Sequence, residues 1–140
     1  MVCNNNHNLG TGGRENRCQA YEGISVPGCP NLCSLPSPYA YSGLSYFNTV
    51  EVQMKHMQRL LAEMKRKKAT TFEVTKSAND TYLHDMKQRV TRSVFVNGNC
   101  APANSYYFNQ HGEATLLRPM STITARWQAG RFPLKDYCLE

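Results

Sequence analysis

A cluster of glycines near the N-terminus is the first place where this sequence could bind a phosphate. In "LGTGGREN", Gly10 and Gly12 match the first two glycines of the G-x-G-x-x-G loop that holds the pyrophosphate of a dinucleotide. Glu15 occupies the third glycine position, and the preceding "NNNHN" does not have the composition of a strand. We therefore interpret this stretch as a flexible polar loop.

Serine and histidine residues are not arranged for acyl transfer or proton transfer. The stretch "YSGLS" contains serines beside a glycine, but it lacks the G-x-S-x-G elbow. His84 and Asp85 are adjacent in a predicted helix, so their side chains point in different directions. His111 lies beside a glycine turn, where it could be a general base or have only a structural role. We predict no catalytic residue in this chain.

The cysteines do not have the spacing of a metal site. Only Cys29 and Cys33, in "CPNLC", are close in sequence, whereas a zinc site needs a second pair or nearby histidines. The histidines are scattered along the chain, so no metal ligand is predicted. In the absence of a secretory signal, we expect mostly free thiols.

Length and composition are those of a globular protein. The chain has 140 residues, of which 41% are hydrophobic and 19% charged, and a formal net charge of +6. No apolar stretch is long enough to span a bilayer, and the N-terminal "MVCNNNHNLGTGG" lacks the apolar core of a secretory signal. We therefore predict a cytoplasmic protein without a membrane span.

A long amphipathic helix is predicted from about Ser45 to Lys67. Apolar residues recur at steps of three and four along one face, which we expect to pack in the core: Phe47, Val50, Met54, Met57, Leu61 and Met64. Ser45 is the expected N-cap. The basic run 65–68 lies at the C-terminal end, where cations interact favourably with the helix dipole. Since no aromatic residues accompany it, nucleic-acid binding is the weaker interpretation of this run.

Shorter elements are predicted around this helix. The alternating "TTFEVT" indicates a strand within 70–75, and Ser77 is expected to cap a second helix that ends near Thr91. The apolar face of that helix is Ala78, Tyr82, Met86 and Val90. Short strands are predicted at 24–26 and 32–35, and short pieces separated by turns at 94–96, 105–108 and 115–117. Residues 1–20 are expected to be irregular and the tail "RFPLKDYCLE" extended.

Four motifs follow one another between Tyr21 and the end of the chain. "YEGISVPGCPNLCSLPSP" is similar to a segment G-[IV]-x-[VF]-P-G-F-P-N-L-F followed by Gly-Pro, and "SYFNTVEVQMKHMQRLL" is similar to the long helix after it. "NGNCAPANSYYFNQHGEATLLRPMST" resembles C-x-S-W-Y-x-x-x-x-G-x-x-x-x-L-W-P-G-S, and "RFPLKDY" resembles R-F-[DP]-x-x-D-Y. In this order they resemble the C-terminal part of the class B FAD-dependent monooxygenases, which include the Baeyer–Villiger and flavin-containing monooxygenases.

The match is not complete at every motif position. Cys29 and Cys33 replace phenylalanines, and Ser37 stands where the family has the glycine of its Gly-Pro pair. Tyr106 and Arg118 each replace a tryptophan of the closing motif. In the family this closing motif is structural, which is consistent with the lack of a catalytic pair around it.

The resemblance implies an α/β fold and a flavin-dependent activity. The chain would be a C-terminal fragment of an FAD/NAD(P)-binding Rossmann-like domain, with a polar segment 1–20 before the matching part 21–140. In the family, NADPH reduces FAD, and one oxygen atom of O2 is transferred to a ketone, an amine or a sulfide. Both dinucleotide fingerprints lie upstream in full-length relatives, and neither is present here. We therefore expect a truncated or split enzyme that is inactive and binds no cofactor tightly on its own.

The resemblance also implies a flavin contact in the turn "SPYAYSGLS". The residues expected to contact FAD are Pro38, Tyr41, Ser42, Gly43 and Leu44. The N-terminus of the long helix would point at the pyrimidine edge of the flavin, where its positive dipole end favours the anionic reduced form. Gly43 would let the backbone approach closely. Alternatively, this turn only builds a loop and caps the helix.

A second function from a different class stays open. The chain could be a non-catalytic interaction subunit that pairs with a separate flavin-binding chain. In both cases the apolar face of the long helix needs a cover, so we expect poor solubility alone or association with another chain.

Overall fold

The computed structural model describes residues 2–3, 7–8, 19–43, 45–93, 108–109 and 112–140. Within these ranges, the helices are α1 (Tyr46–Lys67), α2 (Lys76–Val90) and α3 (Thr122–Ala129). The strands are β1 (Val2–Cys3), β2 (His7–Asn8), β3 (Phe72–Val74) and β4 (Tyr137–Leu139). The α/β class, the long helix, the second helix and the strand within 70–75 are as predicted. None of the described helices is long and apolar enough to cross a membrane.

The strands form two small antiparallel sheets. In the β3–β4 pair, Phe72 lies opposite Leu139 and Val74 opposite Tyr137. Phe72 and Val74 are both buried, as the alternation in "TTFEVT" predicts. β1 pairs with β2 inside the segment that was predicted to be irregular. The tail, predicted to be extended, contains a 3-10 turn (Leu134–Asp136) after Pro133 and before β4.

The core is built mainly from aromatic and long apolar side chains of α1, α2 and the β3–β4 sheet. Its buried members are Tyr21, Tyr39, Leu60, Met64, Phe72, Val74, Tyr82, Met86, Phe132 and Tyr137. Tyr21 packs edge-to-face on Tyr82 and Tyr137, with ring centroids 5.6 and 5.7 Å apart. This geometry is favourable for aromatic rings and adds to the energy of their burial. A smaller cluster of Val52, Ala125 and Ala129 joins α1 to α3.

The face that α1 turns toward the rest of the chain is not the predicted apolar face. Its buried residues are Thr49, Val52, Gln53, His56, Leu60 and Met64. Phe47 is 77% exposed, and Met54 and Leu61 are 42% and 52% exposed. The prediction is therefore wrong for these residues. Periodicity identifies an apolar face, but it does not say which parts of the chain are available to cover it.

The starts of α2 and α3 also differ from the expectation. The N-cap of α2 is Thr75 rather than Ser77, and its hydroxyl accepts a hydrogen bond from the Ala78 N–H at 3.3 Å. α3 was not predicted, because the β-branched Thr-Ile-Thr at its start has low helix propensity. Its Ser121 N-cap supplies the local signal, accepting from the Thr124 N–H at 3.1 Å.

The proline-rich segment contains isolated bridges instead of the strands predicted at 24–26 and 32–35. Ser25 bridges to both Tyr21 and Cys33. Cys33 and Cys138 are free thiols, as was expected for most of the cysteines, whereas Cys29 is disulfide-bonded. The predicted short piece 94–96, most of the piece 105–108, His111 and the glycine loop lie outside the described residues.

Candidate functional site

The turn expected to contact a flavin is fixed by the backbone of segment 115–118. The Tyr39 N–H donates to the Thr115 carbonyl at 2.6 Å, and the Arg118 N–H donates to the Tyr41 carbonyl at 2.7 Å. Tyr41 and Leu117 form a parallel bridge. These contacts join two of the sequence motifs, so the closing motif holds the turn in place.

A second set of contacts, made by Gly23, joins the turn to α1. Gly23, at φ +69°, lies so close to Ala40 that a Cβ on Gly23 would be 2.7 Å from the Ala40 Cα. The Gly23 carbonyl accepts a hydrogen bond from Gln53 Nε2 of α1 at 2.5 Å. Only glycine allows this close approach together with this backbone conformation. The turn is thereby positioned relative to α1.

The turn borders a small cavity of about 130 Å³. Its lining comes from the turn, from the end of α2 and from segment 114–119: Tyr41, Ser42, Gly43, Val90, Ser93, Ala114, Leu117, Arg118 and Pro119. The Ser93 hydroxyl is buried and has no hydrogen-bond partner among the described residues. A drug-sized ligand needs a pocket of roughly 300–1,000 Å³, so this cavity accommodates only one edge or group of such a molecule.

The start of α1 lies directly after this turn. Ser45 is the N-cap residue, as predicted, but its side chain makes no capping hydrogen bond. No acidic residue lies in the first turn of the helix. Gly43 is exposed at φ +91°, and nothing lies within 4 Å of the position that a Cβ would take. The backbone here is therefore open to close approach.

Arg118 is the buried charge beside the cavity. Its guanidinium pairs with the Glu22 carboxylate and also donates to Gln128 Oε1 at 3.2 Å. Burial lowers the pKa of Arg118, but nearby Tyr82 and Glu22 raise it, with a net upward shift. The guanidinium stays charged and ties the segment before the turn to α3.

A buried polar network on α1 was not recognised from the sequence. His56 is fully buried, stacks on Phe132 at a centroid distance of 3.6 Å, and its Nε2 lies 2.9 Å from the Tyr137 hydroxyl. That hydroxyl lies 2.8 Å from Ser25 Oγ. His56 lies away from the predicted apolar face, where a polar residue is normally exposed, so periodicity gave no signal for its burial.

This network has the properties of a structural element rather than of an acid–base site. Burial, followed by the charges of Arg118 and Arg59, lowers the pKa of His56 to about 3. His56 Nδ1 and Gln53 Oε1 are buried without partners among the described residues. A neutral, enclosed imidazole holds α1 against the C-terminal segment.

The predicted site residues are only partly brought together. Tyr41, Ser42 and Gly43 line the same cavity. Pro38 is half-buried and is not among the lining residues, and Leu44 lies outside the described residues. The described part of the chain contains no group of three or more histidine, cysteine or acidic side chains that could hold a metal.

Solved structures of monooxygenases share this fold. OTEMO in complex with FAD and NADP is 19% identical, with a TM-score of 0.80 over 99% of this chain and 26% of that chain. An oxidized steroid monooxygenase bound to NADP is 19% identical, with a TM-score of 0.78 over 99% of this chain and 25% of that one. Cyclohexanone monooxygenase from Rhodococcus sp. Phi1 bound to NADP+ is 13% identical, with a TM-score of 0.76 over 99% and 26%.

At this level of identity the comparisons establish the fold. The chain folds as a part of these monooxygenase structures and spans about a quarter of their length. The resemblance seen in the sequence motifs is thereby confirmed at the level of the fold. Neither the protein-family models nor the curated protein sequences give a match.

Proposed function

We propose that this chain is the C-terminal part of an FAD- and NADPH-dependent monooxygenase that inserts one oxygen atom from O2 into a ketone, an amine or a sulfide. The observation that supports this most directly is the fold. Nearly the whole chain superposes on monooxygenases solved with FAD and NADP, and the motif turn 38–43 is held by the closing motif.

The turn is suited to contact one edge of a flavin ring, but it is too small to enclose the whole flavin. Gly43 leaves open space for a planar ring, and Tyr41 and Ser42 flank the adjoining cavity. The cavity is far too small to enclose FAD, and neither dinucleotide fingerprint is present in this chain. In this proposal the chain contributes one wall of the cofactor site and binds no FAD or NADPH tightly by itself.

Each part of the turn has a separate task in this proposal. When bound, the flavin supplies the redox and oxygen-transfer chemistry. Gly43 presents its backbone to the ring, and the start of α1 supplies a positive dipole end without an acidic side chain in its first turn. Arg118, paired with Glu22, fixes the segment that holds Tyr41.

The alternative proposal is a non-catalytic subunit that pairs with a separate flavin-binding chain. The exposed side chains of Phe47, Met54 and Leu61 favour it, because they indicate a surface that needs a partner. Both proposals expect association with another chain. They differ in whether the complex oxygenates a substrate.

The first experiment is purification of the chain with added FAD, followed by desalting and a visible absorption spectrum. We expect a colourless protein. A retained flavin spectrum would contradict the proposed division of the cofactor site between this chain and a missing part.

The second experiment tests the activity in a complex with the flavin-binding chain. NADPH oxidation is measured with a cyclic ketone, an aryl methyl sulfide and a tertiary amine as separate substrates. The variant G43A should weaken flavin retention, whereas G112A, which has a similar positive φ but lies outside the cavity lining, should not. Product formation supports the monooxygenase, and a complex without product supports the interaction subunit.

A further inference from the structure

Four buried tyrosines lie next to one another in the core and connect the turn to the C-terminal segment. Tyr39 belongs to the turn, and its carbonyl accepts a hydrogen bond from the Tyr82 hydroxyl at 3.3 Å. The Tyr82 ring packs on Tyr21, and the Tyr21 ring packs on Tyr137, with centroids 5.6 and 5.7 Å apart. Each of the four side chains is at most 8% exposed. We call these four residues the tyrosine row.

The hydroxyl of Tyr21 is paired with a carboxylate that lies 115 positions further along the chain. It donates a hydrogen bond to Asp136 Oδ2 at 2.6 Å. Burial, followed by this hydrogen bond, raises the pKa of Tyr21, so the phenol stays protonated. Asp136 is only half-buried, so a proton that its carboxylate takes up can pass on to water. The pair therefore consists of a neutral, buried phenol and a proton acceptor with access to solvent.

Tyr137, at the other end of the row, has a less favourable proton acceptor. Its hydroxyl lies 2.9 Å from His56 Nε2, and burial together with the charges of Arg118 and Arg59 lowers the pKa of that imidazole to about 3. A proton moved to His56 would add a cation beside these two arginines, whereas a proton moved to Asp136 removes an anion. The phenol paired with the carboxylate is therefore the one that loses its proton more easily.

This arrangement meets the chemical requirements for one-electron oxidation of a tyrosine. A phenol that loses an electron becomes a very strong acid, so the electron leaves readily only when a hydrogen-bonded base takes the proton at the same time. The Asp136 carboxylate is such a base for Tyr21. Burial among other rings also keeps a radical on Tyr21 from coupling with a second radical in solution.

We propose that Tyr21 is a redox-active tyrosine that gives one electron to a strong one-electron oxidant while Asp136 takes its proton. The O–H bond of Tyr21 breaks, a new O–H bond forms on Asp136, and the electron reduces the oxidant, for example a hydroxyl radical to hydroxide. The products are a neutral tyrosyl radical, a protonated carboxyl group and the reduced oxidant. Tyr39 and Tyr82 connect Tyr21 to the turn, so the row draws an oxidising equivalent away from the candidate site.

Photo-oxidation of the full chain locates the radical. Excited tris(bipyridine)ruthenium with a cobalt(III) ammine acceptor supplies Ru(III) as the one-electron oxidant, and frozen samples are examined by electron paramagnetic resonance. In one sample 3-fluorotyrosine replaces Tyr21, and in the control it replaces the half-exposed Tyr46 on α1. Fluorine adds a hyperfine splitting only to a radical on its own ring. The expected result is a radical that survives until freezing and shows this splitting with the label at position 21, and not at position 46.

Matched substitutions then test the proton acceptor. D136N keeps an oxygen that accepts the hydrogen bond of Tyr21 but cannot take up its proton, so radical formation should slow at least about tenfold. D80N removes an exposed carboxylate that pairs with Lys76 on α2, and it should leave the rate nearly unchanged. Circular dichroism checks that both variants are folded. Should D136N fail to fold, the rate of radical formation in the unsubstituted protein is compared in H2O and D2O, where we expect slower formation in D2O.

Each other outcome overturns the inference. If no radical survives until freezing, or if the splitting arises from the label at position 46 instead, Tyr21 and Asp136 form only a structural pair. An unchanged rate in a folded D136N, or equal rates in H2O and D2O, means that Asp136 does not take the proton. The inference goes beyond the proposed function and is tested with an oxidant that needs no flavin. Its failure therefore leaves the proposed function intact, and a failed oxygenation assay leaves this inference intact.

Discussion

Arg118 and Glu22 lie 96 positions apart in the chain and form an ion pair in which both side chains are almost completely buried. Arg118 also lines the cavity beside the turn, and its backbone N–H binds the Tyr41 carbonyl. Arg118 therefore connects the proline-rich segment and α3 through its side chain, and the turn through its backbone N–H. We therefore expect the position of the turn to depend on this pair.

Loss of one partner of this pair should be costly. R118M leaves the Glu22 carboxylate buried without a counter-charge. We therefore expect the free energy of unfolding to fall by about 3–5 kcal/mol. Urea unfolding followed by circular dichroism measures the change. The double variant E22Q/R118M removes both charges and should regain more than half of the loss.

The exposed pair of Glu63 and Arg66 provides the control for this prediction. Arg66 is exposed and Glu63 lies at the surface between Arg66 and Lys67, so we expect E63Q to change the unfolding midpoint much less than R118M does. An effect of R118M no larger than that of E63Q would mean that the buried pair does not position the turn.

The burial of His56 predicts a loss of stability at mildly acidic pH. Its pKa is lowered from 6.5 in the unfolded chain to about 3 in the folded chain. The unfolded state therefore binds a proton first as the pH falls below 6.5, and the folded state loses stability progressively down to pH 3. This linkage should remove about 2 kcal/mol between pH 7 and pH 5.

The variant H56F isolates the contribution of this residue. Phenylalanine keeps the stacking on Phe132 but cannot take up a proton. We expect the stability of H56F to depend less steeply on pH between 7 and 5 than that of the unsubstituted protein, by up to one proton. The facing groups Arg59, Arg118 and Tyr137 are unchanged in both proteins. If the free energy of unfolding changed equally with pH in both proteins, the pKa of His56 would not be lowered by burial.

Substitutions at Gly23 and Gly112 test the close approach between Gly23 and Ala40. Both have a positive φ, but only at Gly23 would a Cβ collide with the backbone, that of Ala40. We expect G112A to lower the free energy of unfolding by about 1–2 kcal/mol, because alanine is strained in the left-handed conformation. G23A should cost at least about 1–3 kcal/mol more from overpacking, measured by the same urea titration. A smaller cost for G23A than for G112A would contradict the packing described here.

The N-cap side chains of α1 and α2 should contribute differently to stability. Thr75 makes a side-chain hydrogen bond at the start of α2, whereas Ser45 makes none at the start of α1. We therefore expect T75A to reduce stability by about 1 kcal/mol. S45A should have a clearly smaller effect in parallel thermal unfolding. A larger loss of stability in S45A than in T75A would contradict this prediction.

The helix periods and the strand alternation were readable from the sequence because they depend on local geometry. The limits of α1 agree with the prediction within one residue, and Phe72 and Val74 share a buried face as expected. α3 escaped prediction, because its start combines β-branched residues with a short length. Of the residues predicted to contact a flavin, Tyr41, Ser42 and Gly43 line one cavity, and the flavin contact itself stays a prediction.

The sequence by itself determined where the long helix forms, which turn follows the proline-rich segment, and which larger fold the chain resembles. Only the tertiary structure decided that Gln53 and His56 face inward while Phe47, Met54 and Leu61 face outward. The physical reason is that a helical pattern fixes which residues share a face. Whether that face is buried depends on partners that are distant in sequence, such as Gly23 for Gln53 and Tyr137 for His56.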